Sequence, residues 1–261
     1  ISRTFNEFNF KEVTFNTSQY QYNQTSYTNA SRMDNLLADP DTGITATFEQ
    51  MFDALNGIAE EPTIISARNV LVARSETVAT RFNTLYEELT VQHMGAINEE
   101  METTVDEINA ITQDIATLNT KIQVENAVGS EGFPPNDLLD QRDLLIKRLS
   151  EKLQVSAIDL PDGTVNLSVG QGITLVTGGV SIPMQIMRDE YDTSKLEIGI
   201  SADINTPAKS PITGQLAGGS LAALVDARDN VIIPALRDLG KIAIGLSDAV
   251  NRQQTLGRDM N

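Results

Sequence analysis

Asp137, Asp140 and Asp143 recur every three residues, a spacing that sets carboxylates along one side of a helix. Paired carboxylates are the machinery of glycoside cleavage, where they sit about 5–9.5 Å apart across a cleft. A single helix face offers no cleft. Capping of a helix start and pairing with Arg142 explain these acids more simply. Asp39, Asp41 and Gly43 alternate like the opening of a calcium loop. Such a loop needs about twelve residues closing on a bidentate acid. Here the sequence runs on into a helix, so Asp39-Pro40-Asp41-Thr42-Gly43 reads as a turn. Gly170-Gln171-Gly172 lacks the lysine, the hydroxyl residue and the following helix of a phosphate loop, and reads as a hairpin turn. His93 is the lone histidine. Carboxylates around one imidazole make a poor zinc set, and no positioned nucleophile accompanies it. The expectation is no catalytic residue, no cofactor and no metal site.

Composition narrows the classes further. Cysteine is absent, which excludes thiol catalysis, disulfides and thiolate metal sites. A net charge of −17 argues against a nucleic-acid backbone or an anionic membrane surface as partner. No run approaches the ~20 apolar residues of a membrane helix. The 261 residues are 40% apolar and only 5% aromatic, which suits an elongated molecule with a narrow core. The chain opens at Ile1 without an apolar leader, so an excised or processed piece is expected.

The element that organises the rest runs from about Ile64 to Val128. It holds no proline, and Gly95 is its only glycine. Met101, Ile108, Ile115 and Ile122 are seven apart, with Ile111 and Leu118 filling the seam. Upstream, Leu71, Val78 and Leu85 form one seven-spaced set, and Phe82 and Leu89 another. The phase slips between Leu89 and Ile97, as at a stutter. The pattern predicts one helix of ~60 residues, ~90 Å at ~1.5 Å per residue. Its predicted core is Phe82, Leu89, Met101, Ile108, Ile111, Ile115, Leu118 and Ile122.

Between Arg81 and Lys121 this helix carries no lysine or arginine. With Met101 at heptad position a, Glu100, Glu107 and Asp114 all fall on g, where carboxylates often meet cations of a neighbouring helix. They are the candidate subunit contact; a solvated face is the plainer alternative.

Other segments supply the packing. Residues 2–37 place Phe8, Phe15, Tyr22 and Leu36 on one register, predicting a first helix packed by that stripe. Phe48, Met51, Phe52, Leu55 and Ile58 predict an amphipathic second helix ending at Glu61-Pro62. A break at Gly129–Pro135 precedes a helix capped by Asn136 or Asp137, expected to return antiparallel along the rod. Gln154–Leu160, Thr164–Val169, Ile173–Thr177, Ser181–Met187 and Lys195–Ile200 read as short antiparallel strands. Asn205–Gly219 reads as a linker. A last helix runs from about Ser220 to Leu256, kinked by Pro234. The predicted class is mainly α with a small β domain: an elongated antiparallel helical bundle plus an antiparallel β unit. The expected domains are a discontinuous helical rod, 1–153 and 215–261, and a β domain with linker, 154–214.

Pro134 through Asp143 (Pro-Pro-Asn-Asp-Leu-Leu-Asp-Gln-Arg-Asp) resembles a signature stretch of the flagellar hook-associated protein 1 family of hook–filament junction proteins. Its residues include Asn136, Asp137, Leu138, Leu139, Asp140, Arg142 and Asp143. Met33–Pro40 with Thr42-Gly43, Gly214–Asp229 and Gly257–Asn261 resemble further family elements in the same order. The family's terminal helical segments have no counterpart here, so a central fragment is expected. The resemblance implies a structural, extracellular part of the bacterial flagellum, exported without a cleaved signal peptide. It also implies as partners neighbouring copies, the hook protein, a second junction protein, and an export chaperone acting through a terminal segment. From the residues alone, a coiled-coil adhesin or receptor ectodomain stays open as an alternative, with a cell-wall glycan hydrolase behind it.

Overall fold

The residues from Ile65 to Val128 form one unbroken helical run: α3 (Ile65–Glu87), a π-helical turn (Glu88–His93) and α4 (Met94–Val128). The turn explains the slip in the heptad phase. Leu85, Leu89, Met94, Ile97 and Met101 are all buried, and their gaps are four, five, three and four residues. The gap of five coincides with the i→i+5 turn, which absorbs one extra residue. An extra residue in a continuous α-helix would rotate everything beyond it by about 100°. The π turn takes up that rotation, so the apolar seam continues on one side.

In this computed structural model the described residues are 6–37, 43–128, 135–189, 191–192, 195–201, 206–208 and 210–256. The turn at Asp39–Thr42, the break from Gly129 to Pro134 and the element at Gly257–Asn261 lie outside them. The remaining helices are α1 (Glu7–Leu37), α2 (Ile44–Glu60), α5 (Asn136–Lys152), α6 (Gly219–Asp226) and α7 (Ile233–Leu256). Strands β1 (Val155–Asp159), β2 (Val165–Val169), β3 (Ile173–Thr177) and β4 (Val180–Ser181) make an antiparallel meander. Strands β5 (Met184–Arg188) and β6 (Leu196–Ile200) make a separate hairpin. The stretch Ser181–Met187, expected as one strand, is two. Pro183 between them has no N–H for a ladder, and Ile182 N–H instead reaches Leu175 O at 2.7 Å.

The chain divides into two compact units. The first combines residues up to Tyr27 with Asn98–Asp226. Its core joins Met101, Ile108, Ile115 and Ile122 of α4 to Leu149 of α5, Leu167 and Leu175 of the meander, and Leu221 and Leu224 of α6. Helix α1 departs from expectation here. Phe8 is 73% exposed and Phe15 51% exposed, while Thr14 and Ser18 are buried. The hydroxyls tolerate burial because they bond back to their own helix: Thr14 Oγ1 to Phe10 O at 3.1 Å, Ser18 Oγ to Phe15 O at 2.8 Å. At Ser18 the backbone before α6 lies close by. A Cβ on Gly218 would come within 2.9 Å of Ser18 Oγ, and one on Gly219 within 2.3 Å of Leu153 N. Tyr22 adjoins Asp226 on the same side. Burial, then the Asp226 carboxylate, raises its phenol above the ordinary value. The expected linker is likewise packed: Ile212 N–H donates to Ile198 O (2.7 Å), and Ile198 N–H to Thr213 Oγ1 (2.8 Å).

The second unit combines Thr28–Ile97 with residues from Ala227 onward. Helices α2 and α3 form a helical hairpin. Met51 is buried, and Phe48 meets Phe82 edge-on at 5.9 Å, while Phe52 remains 53% exposed. A second π turn, Ala227–Ile232, precedes α7. Pro234 lacks an N–H and its ring crowds the carbonyl four residues back, so the regular pattern fails in the turn before it. Within this turn the fully buried Arg228 forks onto its neighbour Asp229, with contacts of 2.8 and 3.1 Å. Of the expected α7 stripe, Leu239 is buried, whereas Ile242 and Val250 are exposed.

Candidate functional site

Helix α4 shows different chemistry on each face. The apolar seam is inside: Met101, Ile108, Ile115 and Ile122 have no exposed surface, Leu118 is buried, and Ile111 is half-buried. Upstream, Leu89 is fully buried and Phe82 half-buried. A second face carries side-chain amides that bond the β unit, two of them to its backbone and two to its side chains. Asn109 Nδ2 donates to Met184 O at 2.9 Å and its Oδ1 accepts from Met184 N–H at 2.8 Å. Asn119 Nδ2 donates to Val165 O (2.8 Å) and Gly178 O (2.7 Å), while its Oδ1 accepts from Val165 N–H (3.1 Å). Gln113 accepts from Ser181 Oγ at 2.7 Å, and Gln123 donates to Asp162 at 3.0 Å. A carboxamide carries a donor and an acceptor, as a peptide does. It can therefore satisfy buried strand groups that a carboxylate or hydrocarbon would leave unpaired.

Arg142 completes this clamp from α5. Its guanidinium is buried and donates to Asn119 Oδ1 (3.1 Å), Gly163 O (2.6 Å) and Asp159 Oδ1 (3.4 Å). One side chain thus ties α5, α4 and the β1–β2 turn together. Gly163 itself must be glycine: its φ is +86°, and a Cβ would meet Asn126 Nδ2 at 2.2 Å. Beside it, the Thr164 hydroxyl and N–H donate to Asp162 and hold its carboxyl below the ordinary aspartate value.

The signature stretch separates into roles. Arg142 is structural glue, Leu138, Leu139 and Asp143 are half-buried, and Asp137 and Asp140 face solvent. Asn136 is the first residue of α5 and Pro135 holds the cap position, so neither Asn136 nor Asp137 is the N-cap expected from sequence. Among the described residues no group of three or more His, Cys, Asp or Glu could hold a metal ion.

The acidic residues of the third face are exposed at Glu100, Glu107 and Asp114. They are not equivalent. Glu107 pairs with Lys152 at 2.5 Å, a cation that α5 brings back from far along the chain. Asp114 borders an open groove of about 300 Å³ between α4 and α5, lined also by Leu118, Lys121, Gln141, Leu144 and Leu145. The amide ladder and the Lys152 pair were missed from sequence. The available signal was Asn109, Gln113, Asn119 and Gln123 recurring along one acidic helix.

The sequence family described as the helical domain of flagellar hook-associated protein FlgK matches residues 30–261. The chain belongs to the FlgK family. It is 30% identical over 239 residues to flagellar hook-associated protein 1 of Salmonella typhimurium, covering 90% of this chain and 42% of that protein. Against flagellar hook-associated protein 1 of Bacillus subtilis it is 27% identical over 245 residues, 85% of this chain and 47% of the other. The solved flagellar hook junction protein FlgK from Burkholderia pseudomallei superposes with a TM-score of 0.85 at 28% identity. That match covers 96% of this chain and 44% of the other. The chain therefore spans less than half the length of these FlgK relatives. Its mainly helical architecture with small antiparallel sheets matches that of the solved FlgK over the part covered.

Proposed function

We propose that this chain is the load-bearing part of a structural, non-enzymatic component of the bacterial flagellum, outside the cell, joining hook to filament. The carrying observation is the match to the solved hook junction protein over 96% of the chain. The helical residues 1–153 and 215–261 pack laterally against neighbouring copies, and the β domain with linker, 154–214, lies at outer radius. The polar clamp supports this reading physically. An apolar interface alone lets a sheet slide on a helix, because it is non-directional. Directional amide-to-backbone bonds fix the β unit at one register. The further partners are the hook protein, a second junction protein and an export chaperone. In the acidic line, Glu100 and Asp114 are the contacts toward a neighbour, with Glu107 already held by Lys152.

Deleting the gene from its source bacterium tests this. The expected phenotype is hooks without filaments, restored by the gene in trans, with labelled protein at the hook–filament border. Intact filaments in the deletion strain would overturn it.

A further inference from the structure

We propose that the groove between α4 and α5 receives the exposed face of α3 from a neighbouring copy, with the two helices parallel. This rests on the lateral packing proposed above and names its contact. The groove has an apolar floor, with Leu144 50% exposed beside Leu118 and Leu145. Asp114 stands at one end and Lys121 at the other. Both are exposed, and neither forms an ion pair among the described residues.

Helix α3 carries the complement. Ile65, Val72 and Tyr86 are 73%, 57% and 60% exposed and share a seven-residue register. Arg68 lies four residues before Val72 and Glu76 four after it, both on the surface. Seven residues from Asp114 to Lys121 span about 10.5 Å of helix, and eight from Arg68 to Glu76 about 12 Å. With Val72 seated on Leu144, Arg68 meets Asp114 and Glu76 meets Lys121 only if the helices run in the same direction. Reversing one helix sets like charges together. Two different surfaces of one chain, joined in parallel, make a contact that does not close on itself as a two-fold dimer does. It propagates around a tube in which every copy points the same way.

These 261 residues contain no cysteine, and cysteines elsewhere in the full-length protein are replaced by serine before the test. The full-length protein with Val72→Cys and Leu144→Cys together is expressed in the deletion strain, and isolated flagella are oxidised. The expected product is a ladder of dimers, trimers and higher species, absent from either single variant. Monomer alone, from flagella that still carry filaments, overturns the contact and leaves the junction role intact. Absence of the unaltered protein from flagella defeats the junction role itself. A charge exchange guards against a cysteine variant that fails to assemble. Asp114→Arg is expected to cut the number of filaments per cell about five-fold, the scale of a lost ion pair plus repulsion. Adding Arg68→Asp in the same chain should return it to within about two-fold. No recovery, or no initial loss, overturns the proposal.

Discussion

Replacing Asn119 by Leu probes the clamp by keeping the side chain's branching while removing its donor and acceptor. The side chain accepts or donates four bonds: to Val165 O, Val165 N–H, Gly178 O and the Arg142 guanidinium. Three of these partners are backbone groups, and Asn119 and Val165 are both buried, so water does not simply replace the amide. At about 1 kcal/mol net per bond the loss is about 4 kcal/mol, and orphaned buried groups push it upward. For a chain of this size that corresponds to a fall in melting temperature of roughly 10 °C. Gln113→Ala removes a single exposed contact to Ser181 and is the matched control, expected to cost under about 0.5 kcal/mol. Urea unfolding followed by circular dichroism gives both values. Amide exchange at Val165 then shows whether the loss is felt in β2. A cost for Asn119→Leu below about 1 kcal/mol, or equal to that of Gln113→Ala, would refute the view that directional bonds hold the β unit to α4.

Three further outcomes are expected. Deleting Val91 should convert the first π turn to regular helix and leave cooperative unfolding in place, whereas deleting Thr103 rotates the following seam by about 100° and should abolish it. Equal damage from both deletions contradicts the extra-residue account. Gly219→Ala forces a side chain into φ +70° and within 2.3 Å of Leu153 N, so a loss of about 2 kcal/mol or more is expected. Gly240→Ala, in open space within α7, should instead gain about 0.5–1 kcal/mol, and a melting curve of each variant decides. Because Asp162 has its pKa lowered in the folded chain, its contribution is present above the unfolded value and is lost as pH falls below the ordinary aspartate range. Acid titration should lower the protection of the Thr164 amide relative to its intrinsic exchange rate in that window, and Asp162→Asn should remove the step.

Sequence alone determined what depends on local periodicity. The seven-residue seam marked the long helical run, and its slip near Leu89 located the π turn to within a few residues. The glycine turns marked the hairpins, and the family was legible in stretches such as Pro134–Asp143. Tertiary structure alone decided which polar groups meet. Helix α1 offers an aromatic register and a hydroxyl register, and the fold buries Thr14 and Ser18, with Gly218 close against Ser18. Arg142, expected beside its neighbouring aspartates, reaches across to Asn119, the carbonyl of Gly163 and Asp159, contacts no local spacing announces. Glu107 looked free for a neighbour until α5 returned Lys152 to it. Periodicity records how a residue sits on its own helix, whereas a hydrogen-bond partner is set by which distant backbone the folded chain delivers within about 3 Å.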